Sequence, residues 1–271
     1  MKKITVFATL SLSVVGCGSA QTSGQNKSAA DANTNSWIGA VKAGATAYSS
    51  IKNMNDAQIA DLGSKFDVEL RKKGNILDSG SEVELIRQIG SRLAPASSKP
   101  DMQFQFSVVD SAEINAFATV GGYVYINKGL ISFVKNNDEL AGAIAHEMGH
   151  NIAKHVLEKL AEISAADAAL ASLSGPELIA ALPSKVGYTV LLAPHLSRNA
   201  EFQADQLGFQ NSWKAGYNAC ELVGFFSQMR KTYGDKSTIM SDHPSNTNRI
   251  EALLPLAQKL GIPGGCSSAN D

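Results

Sequence analysis

The chain has 271 residues, 44% of them hydrophobic and 18% charged. That is enough for one or two compact domains around an apolar core, and it excludes a disordered or fibrous chain. Lysine and arginine number 24 against 25 aspartates and glutamates, so no field favours polyanions, and nucleic acid is not an expected partner. Three cysteines exclude a disulfide-dense scaffold and a four-cysteine zinc finger, while one bridge stays open.

At the start of the chain, Lys2 and Lys3 precede an apolar run, Ile4 to Val15, that ends at Gly16-Cys17. The run is shorter than the roughly 20 residues a membrane-spanning helix needs, and it fits a signal peptide over residues 1–16. The small residue before Cys17 resembles a bacterial lipobox, in which the cysteine becomes the acylated first residue of the mature chain. A plain signal peptide with an incidental cysteine is the alternative. Several acyl chains on one residue satisfy the need for more than one anchor. Gly18 stands where a retention Asp could be, which by resemblance to enteric lipoproteins favours the periplasmic face of the outer membrane. Loss of residues 1–16 removes two lysines and leaves a slightly acidic chain. Residues 18–36 contain no large apolar side chain before Trp37 and cannot offset their own ordering entropy. Residues 17–36 therefore read as a lipidated flexible tether.

Residues 37–271 read as a single domain, with a helical part over 37–100 and the catalytic part over 101–271. Trp37 to Ala60 suggests a weak helix or helical pair. Asp61 to Gly74 and Ser81 to Leu93 carry apolar residues at helical spacing, with Gly74 and Pro95 as stops. Phe104, Phe106 and Val108 alternate with polar residues, which predicts a strand over 103–109. Tyr123 to Ile126, after Gly121-Gly122, is a second strand candidate, preceded by Asn115-Ala116-Phe117-Ala118. Beyond residue 138 the pattern is helical almost to the end, broken at Gly175-Pro176, Pro183, Pro194, Gly234 and Pro244. The class is α+β, mostly helical with a small sheet. Cys220 and Cys266 form an even pair once Cys17 is acylated, and an oxidising compartment favours their bridging; two separate thiols are the alternative.

The chemistry lies in His146-Glu147-Met148-Gly149-His150, an HExxH motif in a helix that begins near Asn137 or Asp138. At about 100° per residue the two histidines lie roughly 40° apart one turn along, so both imidazoles reach one ion. Glu147 sits on the flank of that face, placed to touch a water on the metal without being a ligand. Leu140, Ile144, Met148 and Ile152 form a stripe roughly opposite, while Ala143 and Ala153 flank the histidines and are expected to leave that face open to a cleft. A zinc site needs a third protein ligand and one position for water. The candidates are His155, His195, His243 and a downstream carboxylate. His155 falls half a turn off the metal face of a continuous helix, so it reads as a surface or hydrogen-bonding histidine. In Ser197 to Asp205, Glu201 and Asp205 stand one turn apart behind a plausible cap, Ser197. One of these carboxylates can ligate while the other orients a histidine.

These pieces resemble the HtpX-like and CAAX-prenyl-protease-type zinc metallopeptidases of the gluzincin class, closest to their small lipid-anchored periplasmic members. The resemblance rests on Asn115-Ala116-Phe117-Ala118, Gly121-Gly122-Tyr123-Val124-Tyr125, Asp138 to His150, Arg198 to Asp205, and His243-Pro244-Ser245 with Arg249. It implies a zincin-like fold whose small sheet adjoins the HExxH helix, and one zinc ion per chain. By resemblance Glu201 is the third ligand beside His146 and His150, and Asp205 orients a ligating histidine. His243 and Arg249 join Glu147 as catalytic residues, placed as donors to the oxyanion of a tetrahedral intermediate. His243 in the open coordination position, holding the enzyme latent, is the alternative. Asn115, Ala116, Phe117, Gly121, Gly122 and Tyr123 are the expected substrate-binding residues: an extended substrate pairs with an exposed strand edge, and glycines allow close backbone approach. A core hairpin is the plain alternative there. Residues 176–194 are apolar but cut by Pro183, too short between breaks to span a bilayer, which separates the chain from multi-span members. The expectation is an envelope endopeptidase acting on unfolded or misassembled periplasmic and outer-membrane proteins. Its rivals are a zinc-binding chaperone or assembly factor with little proteolysis, and a secreted toxin-like protease.

Overall fold

The computed structural model describes residues 26–73, 75–192, 196–235 and 245–266. Cys17, His195 and His243 lie outside the described residues. The chain divides into two units, 1–39 and 40–271. The described part of the first unit is the opening of helix α1 (Asn26–Lys52). That helix begins inside the stretch whose composition suggests a flexible tether. Ala29, Ala30 and Ala32 are strong helix formers, and no Gly or Pro stands between 25 and 36.

In the second unit, α2 (Asp56–Arg71) starts on a capping box in which Asn55 and Gln58 satisfy each other's backbone N–H. It buries Ile59, Leu62, Phe66 and Leu70, and α3 (Ser81–Ala96) buries Val83, Ile86, Ile89 and Leu93. These are the positions that the 3.6-residue period marks. Four strands, β1 (Ile76–Leu77), β2 (Gln105–Val109), β3 (Ala116–Ala118) and β4 (Tyr123–Asn127), form one sheet in the order β1-β2-β4-β3. The β2–β4 pair is parallel and the outer two pairs are antiparallel, which leaves β3 at an edge. The β3–β4 turn requires its glycines. Gly121 and Gly122 have φ of 78° and 91°, and a Cβ would come within 2.7 Å of Ile59 O and 2.5 Å of Gln103 O respectively. The close approach they permit is to the protein's own backbone.

After α4 (Lys128–Phe133) comes α5 (Asn137–Ile152), the HExxH helix, capped by Asn136 Oδ1, which accepts from the N–H of Asp138 and Glu139. The remaining helices are α6 (His155–Ala166), α7 (Ala168–Ala171), α8 (Gly175–Leu192), α9 (Arg198–Lys214), α10 (Cys220–Tyr233) and α11 (Asn246–Lys259). Pro183 does not break its segment. A proline removes one amide donor, and α8 continues because Leu178, Leu182 and Val186 are buried on both sides of it. Pro95 likewise sits within the last turn of α3. Among the described residues no helix is long and apolar enough to cross a membrane. One core joins α3, one face of the sheet, α5, α9, α10 and α11, and a second joins the end of α1 to α2, α6, α7 and α8. A Cys220–Cys266 disulfide, with Cα atoms 5.2 Å apart, fastens the segment after α11 to the start of α10.

α5 departs from the expected open face. Glu139 through Asn151 are all buried, and α9 packs against α5 at Ala145, His146 and Gly149. The two backbones meet at glycines: a Cβ on Gly208 would come within 2.7 Å of His146 N, and one on Gly149 within 2.9 Å of Ala204 O. Gly208→Ala gains about 1 kcal/mol of helix propensity but must force the helices apart, an overpacking cost of about 1–3 kcal/mol. A net loss of stability in chemical denaturation is expected, and a more stable variant would contradict the close crossing.

Candidate metal centre

His146 and His150, one turn apart on α5, turn their Nε2 atoms toward each other at 3.0 Å. Glu201 stands in the first turn of α9, which Ser197 Oγ caps by accepting from Ala200 N–H; a carboxylate is favoured at that helix end. Its Oε2 lies 3.6 Å from His146 Nε2 and its Oε1 3.6 Å from His150 Nε2. One ligand atom from each of the three residues falls within 4.8 Å of the others, and all three residues are buried. Of the sequence candidates for third ligand, the described structure brings Glu201 to the pair, while His155 stands behind His150 rather than facing the shared point.

The donor set fits a divalent ion. Asp205 Oδ1 lies 2.8 Å from His146 Nδ1, so the ring proton sits on Nδ1 and Nε2 keeps its lone pair. Buried ring lone pairs and a carboxylate crowded together repel, and a shared cation is the partner that removes the repulsion. Two imidazoles and one carboxylate suit zinc with one position left for water.

Arg249, from α11, holds Asp205 through Nε to Oδ2 at 2.8 Å and Nη2 to Oδ1 at 2.5 Å, and its guanidinium stacks on Phe226 at 3.9 Å. Burial alone would raise the Asp205 pKa, but the Arg249 charge and hydrogen bonds, with His146, hold it below the ordinary carboxylate value. Burial opposes the charge on Arg249 too, yet Asp205 raises its pKa above the ordinary value. Placed this way, Arg249 spends two nitrogens on Asp205. Among the described residues only its Nη1, also buried, has no hydrogen-bond partner.

Glu147 is buried, with Oε1 3.9 Å from His146 Nε2. Burial pushes its carboxyl well above the usual carboxylate range and the charge of Glu201 adds to this, against Arg249 and the Ala118 N–H that donates to it. Ala118 belongs to the edge strand. The bonds Thr119 N to Tyr123 O and Asn127 N to Asn115 O mean that Asn115 and Phe117 commit their backbone to β4, while Ala116 and Ala118 turn theirs outward. The Phe117 ring stacks on Tyr125, centroids 4.8 Å apart, in a small cluster with Leu70 and Val109, and Tyr123 packs at its margin.

Two residues matter here that the motif does not announce. Asn151 Oδ1 accepts from Gly122 N–H at 2.9 Å and its Nδ2 donates to Tyr123 O at 3.3 Å, tying the end of α5 to the β3–β4 turn. A polar residue at a helix end carries no signal that would reveal this. Met102 belongs to a cavity of about 470 Å³, with Ile59, Val120 and Leu157, that opens beside His150. Arg249→Leu would strand the Asp205 charge in the interior and is expected to cost about 3–5 kcal/mol in urea denaturation. Adding Asp205→Asn should recover part of that loss, and equal instability of the double variant would count against the pair.

Comparison with known proteins places this geometry. The model of Peptidase family M48 matches residues 81–257. Metalloprotease YcaL of Escherichia coli is 25% identical over 266 residues, covering 93% of this chain and 95% of that protein. The mitochondrial metalloendopeptidase OMA1 of Schizosaccharomyces pombe is 29% identical over 183 residues, 64% of this chain and 53% of that one. The beta-barrel assembly-enhancing protease of Escherichia coli is 23% identical over 206 residues, 71% of this chain and 42% of that one. The chain thus spans about half the length of the last two relatives. The family match runs from the start of α3 into α11 and encloses His146, Glu147, His150, Glu201 and Arg249; the chain belongs to peptidase family M48.

Proposed function

We propose that the chain is a zinc endopeptidase of the cell envelope, holding one ion, that cleaves unfolded or misassembled periplasmic and outer-membrane proteins. In this reading an acylated Cys17 tethers it to the periplasmic face of the outer membrane, as in the small lipid-anchored members of the HtpX-like group. The observation that carries the hydrolytic part is the meeting of the buried His146–His150–Glu201 set with a carboxylate, Glu147, hydrogen-bonded to an edge strand. The leader-like residues 1–16 with Cys17, and a relative named for beta-barrel assembly, support the envelope part.

Zinc held by His146, His150 and Glu201 would polarise the scissile carbonyl and make water a nucleophile near neutral pH. An extended segment pairs with the outward amide and carbonyl of Ala116, which brings its next peptide bond toward Glu147. The Glu147 carboxylate takes the proton of the attacking water and returns it to the departing amine, and a carboxyl with a raised pKa suits both transfers. Asp205, held by Arg249, keeps the His146 ring in register by accepting its Nδ1–H. Arg249 Nη1 and His243 serve as oxyanion donors; for His243 the family pattern is the support. A side chain flanking the scissile bond enters the cavity beside His150, whose lining by Ile59, Met102, Val120 and Leu157 selects apolar residues. Unfolded chains present such residues and folded ones bury them.

Glu147→Gln is expected to keep its zinc by elemental analysis and to lose about 100- to 10,000-fold of its cleavage of an unfolded protein such as casein. Glu201→Gln is expected to lose the metal itself. Undiminished cleavage in the first, or undiminished metal in the second, overturns the reading. For the anchor, Cys17→Ser should move the protein from the membrane pellet to the soluble fraction on cell fractionation, and retention in the pellet rejects acylation at that residue.

A further inference from the structure

We infer that His155 and Gln203 fix which nitrogen of His150 carries the proton, and so hold His150 ready as a ligand; this rests on the metallopeptidase reading above. α5 ends at Ile152, and Lys154 adopts the left-handed conformation with φ 59°. The turn starts α6 at His155 and sends that ring back onto His150. His150 Nδ1 and His155 Nδ1 lie 3.0 Å apart, and His155 Nε2 lies 3.1 Å from Gln203 Oε1 on α9. An amide oxygen only accepts, so His155 carries its proton on Nε2. A neutral ring protonated there offers a lone pair at Nδ1, which makes His150 the donor from its own Nδ1. The His150 Nε2 is then left as a lone pair on the face it shares with His146 and Glu201, 3.0 and 3.6 Å away.

Reversed, with the amide nitrogen of Gln203 donating, the same chain of bonds would put a proton on His150 Nε2 and close it to metal. The polarity of one exposed amide on α9 therefore biases how readily His150 takes a metal. His146 obtains the same service from a carboxylate, Asp205. The relay behind His150 is neutral, which adds no charge to a pocket already holding Glu147, Glu201 and Asp205.

The test is zinc affinity of the purified protein by competition with a chromophoric chelator, with ¹⁵N-histidine NMR of the metal-free protein reporting the tautomer. Gln203 is exposed, so its replacement leaves the packing intact. Gln203→Glu keeps an acceptor and is expected to stay within about threefold of the unsubstituted protein, whereas Gln203→Lys offers only donors and is expected to weaken zinc binding by about 10- to 100-fold. His155→Leu should weaken it similarly, and His155→Asn, which restores an acceptor close to the Nδ1 position, should recover most of the loss. The expected spectrum shows His150 protonated at Nδ1. Equal affinities for Gln203→Glu and Gln203→Lys, or a His150 protonated at Nε2, overturn the relay. An unsubstituted protein that takes up no zinc overturns the metallopeptidase reading instead.

Discussion

The structure depends on two helical backbones meeting without side chains between them. Gly208 lies against the amide of His146, and Gly149 against the carbonyl of Ala204, so α9 approaches α5 more closely than two ordinary helices could. That approach carries Glu201 to the two imidazoles and Asp205 to the back of one of them. A helix pair held at ordinary spacing by alanines would leave the carboxylates too far to share an ion with the histidines. The site is therefore made by backbone contact first, and the side chains reach only as far as that contact allows.

Charge balance inside this contact is equally tight. Three buried carboxylates, Glu147, Glu201 and Asp205, face one buried guanidinium, Arg249. A divalent cation held beside Glu201 would offset that excess of carboxylates among the described residues. Phe226 supports Arg249 from the other side, and α10, which carries Phe226, is tied by the Cys220–Cys266 bridge to the segment after α11. The elements that steady the guanidinium are thus connected covalently as well as by packing.

Much of this is legible in the residues themselves. The HExxH spacing and the four-residue step from Glu201 to Asp205 are helical facts, and each puts its pair on one face whatever the tertiary context. The alternation around Phe104 to Val108 marks β2 for the same kind of reason. Legibility fails where long-range packing decides. β1 is two residues long and has no period to show. Pro183 reads as a break, but burial on both sides of it carries α8 through. His155 reads rightly as a hydrogen-bonding histidine off the metal face, but the turn that sets it behind His150 does not show, because nothing in Ala153-Lys154 advertises it; a left-handed lysine is rare, and Gly or Asn would be the usual sign. The open face inferred from small residues on α5 is a covered one, since small residues invite a close neighbour as readily as they make room for solvent.

The brevity of β3 has a consequence of its own. Three residues leave two outward-facing positions on that edge, and the Ala118 amide is already engaged by Glu147. A visiting strand is thus gripped by the main chain at little more than one residue. In the pairing proposed above, so short a ladder gives weak residence and leaves selection to side-chain pockets, and the same edge offers neighbouring copies too little length for runaway stacking.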